Sequence, residues 1–341
     1  MASATGRILT GAEVKALSQR SDLRGAARLG AHVLMLAGSG WLVCHSGTWT
    51  LLPAMLLLGV VQSALFAPIH ETIHLTAFRS RRANAVAGWL VACPSLLNWH
   101  FYTAFHLAHH RHTQDPERDP ELALLPPSTL DAYVWRVMAL PYWRTRLQVV
   151  WAGLSGDLSA YPFITERAAP RIIRSLRLMC AVLLGGSALA MALVGWWAPL
   201  VFWIGPQLLG QPFLRLYLLT EHTLCTMDDN GLTNTRTTLT NGLMRLLMWN
   251  MPFHTEHHLY PSIPFHRLPD AHRTTRAPRR AAAGLRSLAR RVLPDAPPVS
   301  GWPTATGSFE LGDLPLQAGD LLRSATLRWN CLLYTSPSPR D

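Results

Sequence analysis

The sequence predicts an all-α integral membrane protein: four transmembrane helices arranged as two hairpins, with interfacial helices and a cytoplasmic cap that carries clusters of histidine. Three observations predict it. The apolar residues come in blocks, with no Asp, Glu, Lys or Arg from Leu29 to His70 or from Leu178 to Leu214. A span needs roughly 20 apolar residues, so each block suits a helix pair that crosses a bilayer twice. The loops expected to face outward, His45 to Thr50 and Gly195 to Pro199, lack Lys and Arg, whereas basic residues flank the other ends. Finally, histidines recur at helical spacing in three separated segments, all on that basic side.

The elements follow in order. Residues 1 to 28 form a basic arm, with Ser21-Asp22-Leu23-Arg24 a candidate short interfacial helix; the arm is too polar for a signal peptide, so the first span acts as an uncleaved anchor. Spans are expected near 30 to 46, 49 to 69, 177 to 195 and 198 to 219, and the second runs through Ala67-Pro68-Ile69 straight into His70 and His74. The apolar stretch Ala83 to Trp99 must leave the histidines on its two sides on one membrane face, so it is read as re-entrant or interfacial. Between Thr129 and Ser155, Trp135, Tyr142, Trp143 and Trp151 mingle with Arg136, Arg144 and Arg146, as in helices lying on headgroups; a folded lid is the alternative. The domain reading is therefore a basic arm (1–28), a catalytic domain (29–270), a basic cytoplasmic tail (271–330), and a terminal stretch (331–341) that reads as sequencing-adapter read-through. Histidine clusters and both termini are expected in the cytoplasm of a multi-pass protein.

The net charge of +11 is accounted for by loops that hold topology and meet anionic headgroups, so nucleic acid is not expected as a partner. Cys44, Cys93, Cys180, Cys225 and Cys331 have no paired spacing and read as packing residues.

Three segments carry the chemistry. In Asn250-Met-Pro-Phe-His-Thr-Glu-His-His-Leu-Tyr-Pro261, Pro252 is expected to open a helical turn and Pro261 to end it, so that His254, His257 and His258 at i, i+3 and i+4 face one point. His106, His109 and His110 repeat that spacing, and His70 and His74 stand at i and i+4. Eight imidazoles exceed the needs of one ion, so two metals are the economical inference, with iron the natural candidate for oxygen chemistry near a lipid. His222, at the end of the fourth span, is a ninth candidate ligand. Glu71, Glu221 and Glu256 each adjoin a candidate ligand, and either take up its second ring N–H or are ordinary helix-surface acids. Asn250 either bonds a metal-bound water or caps the short helix, the cap being preferred. His100 and His112 are rotated off the ligand face, and His32, His45, His266 and His272 receive no role.

His70-x-x-x-His74, His106-x-x-His109-His110 and His254-x-x-His257-His258, with the two hairpins, resemble the membrane fatty acid desaturase superfamily, the histidine-box desaturases and hydroxylases. The resemblance covers roughly 29 to 270. It implies two iron ions held by the eight box histidines, with His222 matching an additional ligand of acyl-CoA members, and O2 with two electrons used to oxidise an unactivated C–H bond. Some relatives have an asparagine where this chain has Leu218. His254, in place of glutamine, argues against the front-end branch. The expected partners are a lipid or acyl substrate, the membrane, and an external electron carrier, a ferredoxin or small haem protein. The expected reaction is introduction of a double bond into a fatty acyl chain. A carotenoid or lipid hydroxylase or ketolase is the alternative from the same superfamily. Because His70-Glu71-Thr72-Ile73-His74 reads H-E-x-x-H, an intramembrane zinc protease is a further reading, which leaves the other two clusters unexplained. A metal transporter would place its ligands at the bilayer midplane.

Overall fold

The computed structural model describes residues 8–123, 127 and 129–275, which are all helix, turn and loop, with no strand among them. The chain divides into two units, Met1–Ala296 and Pro297–Asp341, and every described residue belongs to the first. The expected tail beyond Thr275, its arginines, and the terminal stretch lie outside the described residues.

Helix α1 (Gly11–Leu17) opens with a capping box, in which Thr10 and Glu13 each bond the other's backbone N–H. The arm is docked: Leu9 is buried with Phe253, Ile263 and Leu268, and its N–H donates to the Tyr260 hydroxyl at 2.7 Å. Ser21 caps α2 (Asp22–Cys44), so Ser21-Asp22-Leu23-Arg24 is the first turn of the long helix and not a separate interfacial one. Its partner is α3 (Thr48–Ser63) followed by α4 (Phe66–Ile73). The two are broken at Ala64–Leu65, where an uninterrupted helix was expected. Pro68 supplies the reason, since a proline ring clashes with the carbonyl four residues earlier, here that of Ala64.

Helix α5 (Arg81–Ala92) lies against α4 and ends in a 3-10 turn at Cys93–Ser95; α6 (Trp99–His112) follows, with Asn98 as its cap. The amphipathic stretch between the two apolar blocks forms α7 (Leu130–Val137) and α8 (Leu140–Ser155), which expose Trp135 and Trp151. The long helix α9 (Ala169–Leu193) packs Ile172, Leu176 and Met179 against Phe101 and Val149. A π turn, Leu200–Ile204, leads into α10 (Gly205–His222). Three short helices follow, α11 (Gly242–Leu247), α12 (His254–Leu259) and α13 (Leu268–Thr275).

Three helical segments among the described residues are long and apolar enough to cross a membrane: Asp22–Cys44, Thr48–Ile73 and Ala169–Leu193. Helix α10 is not one of them, because it carries Gln207, Gln211 and Arg215 and is punctuated by Pro206 and Pro212. It is nevertheless locked to α3 by direct backbone contact. A Cβ on Gly210 would lie 2.0 Å from the Gly59 carbonyl oxygen, and one on Gly59 would lie 2.0 Å from that of Pro206. Only glycine admits so close a crossing of two helices.

Candidate metal centre

Four helix ends meet at the site. His70 is on α4, with His74 as its C-cap; His106, His109 and His110 are on α6; His222 ends α10; and His254, His257 and His258 are on α12. Pro261 follows the end of α12, as expected, but Phe253 and not Pro252 precedes its first residue.

The nine histidines form two groups rather than facing one point. Nitrogens of His70, His74, His106, His110 and His257 lie within 4.8 Å of one another, as do those of His109, His222 and His258. His254 joins the second group, with its Nε2 3.1 Å from that of His222. Helix geometry explains the split. At about 100° per residue, i and i+4 differ by about 40°, whereas i+3 falls about 100° from i+4. On α6 the pair His106 and His110 faces the first group and His109 the second; on α12 the pair His254 and His258 faces the second group and His257 the first.

The nitrogen contacts fit a metal. His74, His106, His110 and His257 are joined in that order through their Nε2 atoms at 3.0, 3.0 and 3.2 Å. A neutral imidazole nitrogen either donates or accepts, so four such nitrogens in a row can make at most two of those three contacts as hydrogen bonds. Both ring nitrogens of the buried His70 lack any partner, as do Nδ1 of His106 and His257 and Nε2 of His258. Donors about 2.1 Å from a shared ion stand roughly 3.0 Å apart at right angles, which is the spacing seen. Burial first, then neighbouring imidazoles, push His106, His110, His257 and His258 well below the ordinary histidine value, which keeps them in the neutral, ligating form.

Supporting groups orient the second cluster. His109 Nδ1 lies 2.9 and 3.0 Å from the two oxygens of buried Asp119, and 3.8 Å from Glu121. Burial lowers the His109 value, but Glu121 and Asp119 outweigh it and hold it raised. An Nδ1–H given to the carboxylate leaves Nε2 as the free donor. His222 Nδ1 donates to the Asn234 carbonyl at 3.2 Å, with the same effect on its Nε2.

The four residues expected to support the ligands are placed as follows. Glu221 lies 3.6 Å from His254 Nδ1, a histidine distant in sequence from its neighbour His222. Glu71 accepts from the Thr76 hydroxyl at 2.6 Å and the Phe265 N–H at 3.2 Å. Glu256 holds the Thr237 hydroxyl and, at 2.6 Å, His272 Nδ1, a histidine that had been given no role. The Asn250 side chain does not cap α12; it donates to the Phe265 carbonyl and accepts from Arg245. His100 turns to Ser175, at 2.9 Å. Asp119 was not singled out from the sequence. Its only signal was membership of the carboxylate-rich turn after the second cluster, which also offers Asp115, Glu117 and Glu121.

A cavity of about 940 Å³ opens beside these nitrogens, reaching His70, His106, His109, His222 and His254. Phe66, Leu97, Phe101, Tyr102, Phe105 and Phe163 form its apolar wall.

Among known proteins, the chain is 27% identical over 243 residues to a dihydrorhizobitoxine desaturase of Bradyrhizobium elkanii, covering 64% of this chain and 66% of that protein. It is 24% identical to the sphingolipid delta(4)-desaturase DES1 of Drosophila melanogaster, over 67% of each chain. To an sn-1 oleoyl-lipid 12-desaturase of Arthrospira platensis it is 21% identical, over 69% of this chain and 71% of the other. The matches thus span about two thirds of these relatives. The fatty acid desaturase profile matches residues 47–287, well over half the chain and every histidine of both groups. With its helical scaffold and its paired imidazole clusters, the chain belongs to the fatty acid desaturase family.

Proposed function

We propose that the protein is an oxygen-dependent lipid desaturase that introduces a double bond into a fatty acyl chain. The observation that carries this reading is the gathering of nine imidazoles into a group of five and a group of four beside a partly apolar cavity, in a chain of the fatty acid desaturase family. His70, His74, His106, His110 and His257 would hold one iron ion, and His109, His222, His254 and His258 the other. When bound, the two ions supply the activation of O2. In the overall balance, two hydrogens leave adjacent carbons and, with two electrons and two protons, reduce O2 to two waters.

The residues of the chain bind and orient. The aromatic wall of the cavity takes up the acyl chain and excludes water, and a volume of 940 Å³ is at the upper end of the roughly 300–1,000 Å³ of small-molecule sites. Asp119 and the Asn234 carbonyl fix the tautomers of His109 and His222. Near-attack placement of two neighbouring carbons decides between an alkene and an alcohol. The π turn and α10 complete a fourth crossing, which makes the protein multi-pass with both termini and all nine histidines on the cytoplasmic side. The arm, residues 1–28, leads into a catalytic domain ending near residue 270. Electrons come from a separate ferredoxin or small haem protein, steered by the basic cytoplasmic surface. A zinc hydrolase built on His70, Glu71 and His74 would leave the histidines of α6, α10 and α12 without a role.

The test is lipid profiling of cells that express the chain, a His257→Ala variant, or neither. New unsaturated lipids are expected with the parent chain alone. The same new lipids from the variant would overturn the assignment, and an alcohol or ketone in place of the alkene would move it to the hydroxylase and ketolase branch.

A further inference from the structure

The cavity has a cationic wall that desaturation chemistry does not use. Arg146, on α8, is only 7% exposed, yet its Nε and Nη1 are buried without a hydrogen-bond partner. Arg215, on α10, likewise has a buried and unpartnered Nε. Both guanidinium groups lie over the ring of Tyr142, at 5.4 and 4.4 Å from its centroid, and the Tyr142 hydroxyl is tied to the Ser95 carbonyl at 2.7 Å. All three residues line the cavity that reaches the histidines. Among the described residues no carboxylate lies within ion-pair distance of either arginine. Glu121 and Glu221 line the same cavity and feel the charge of Arg215, but neither pairs with it: Glu121 lies 3.8 Å from His109 and Glu221 3.6 Å from His254.

Burying two guanidinium groups side by side is costly, and stacking on one ring offsets only part of it. The cost is met when an anion takes up the idle N–H groups, and a planar fork of donors suits an oxyanion with two free oxygens. We propose that Arg146 and Arg215 form an anion seat for the polar end of the substrate, a carboxylate or a phosphate. The seat rests on the desaturase reading for the identity of the rest of the ligand. It makes the substrate class an anionic amphiphile whose charged end enters the same cavity as its reacting carbons. Tyr142 is the positioning residue, because its anchored ring holds both guanidinium groups.

Binding tests the seat without turnover, so that its failure is separable from failure of the desaturase assignment. The full-length protein in nanodiscs is titrated with palmitate, methyl palmitate and hexadecyl phosphate at neutral to mildly basic pH, following tryptophan fluorescence. Hydrogen bonds to charged groups predict that an anionic ligand binds the parent chain about tenfold or more tightly than the neutral ester. Preference for palmitate assigns the seat to a carboxylate, and preference for hexadecyl phosphate to a phosphate. In Arg146→Gln the preference is lost while affinity for methyl palmitate is kept; Arg146→Lys, which keeps the charge, restores part of it. Equal affinity for all three ligands in the parent chain overturns the seat, and that comparison stands even where a variant does not fold. An anion preference that survives in Arg146→Gln and Arg215→Gln overturns it as well.

Discussion

Asp119 offers a sharp test of the second histidine group, because one buried carboxylate orients one ligand. Its Oδ1 accepts from His109 Nδ1 and from the Glu121 N–H, both at 2.9 Å; its Oδ2 accepts from the Gln114 N–H at 2.8 Å and lies 3.0 Å from His109 Nδ1. Asp119→Asn keeps the shape but replaces one of these oxygens by an NH2 group. Whichever way the amide is turned, one backbone N–H then faces a donor. Leaving a buried donor unmade costs about 1–3 kcal/mol of stability. The tautomer of His109 is also held less firmly, and loss of a carboxylate behind a ligating histidine weakens metal binding by about 10- to 100-fold. Only His109 depends on Asp119, so the loss falls on the group of four. Iron titration of the purified variant, with bound metal counted by elemental analysis, is expected to show one ion held at parental affinity and a second weakened. Two ions held at parental affinity, together with an unchanged melting temperature, would refute the reasoning.

Three further outcomes are expected. Gly210→Ala pushes a methyl into the Gly59 carbonyl, so the α3–α10 crossing must open; overpacking of this kind costs about 1–3 kcal/mol. Thermal melting in detergent should show it, with no such loss in Gly38→Ala, where a Cβ inside α2 meets nothing within 4 Å. His222→Ala is expected to lose the metal of the second group while the first group still loads, and equal loss of both ions would contradict the partition. In metal-free protein, His106, His110, His257 and His258 have folded values depressed below the unfolded histidine value of about 6.5. The unfolded chain therefore takes up their protons first, and stability is present above that value and lost as pH falls below it, by about 1.4 kcal/mol per pH unit for each group. His109, whose value is raised, contributes in the opposite sense: its share is present at low pH and lost as pH rises through its folded value. Four groups outweigh one, so melting curves of iron-stripped protein should fall on mild acidification; a flat profile would count against neutral, buried imidazoles.

Much of the candidate site was legible because histidines at i, i+3 and i+4 project from one side of the helix that carries them. The family resemblance was legible for the same reason, since spacing within a helix is a local property. The break at Ala64–Leu65 was in principle legible too, from Pro68, yet the apolar run around it masked the signal. The sequence suggests a short interfacial helix at Ser21-Asp22-Leu23-Arg24 ahead of a span near 30 to 46, whereas Arg24 and Arg28 lie in the first turns of one continuous helix, α2. Arg28 donates to the carbonyls of Arg245 and Leu246, a contact across more than two hundred residues that no local pattern encodes.

By itself the sequence determined that this protein has long apolar helices and three histidine-bearing helical turns, because hydropathy and helical periodicity are written residue by residue. Only the tertiary structure decided that His106 and His110 share a group with His257 while His109 joins His222, His254 and His258. That choice depends on how α4, α6, α10 and α12 are rotated about their axes, which the packing of the whole chain sets. It likewise chose Asp119 from four neighbouring carboxylates and brought Arg215 of α10 over the Tyr142 ring of α8, which Arg146 reaches from one turn along the same helix. Contacts between segments far apart in the chain are the product of the fold and leave no periodic trace in the order of residues.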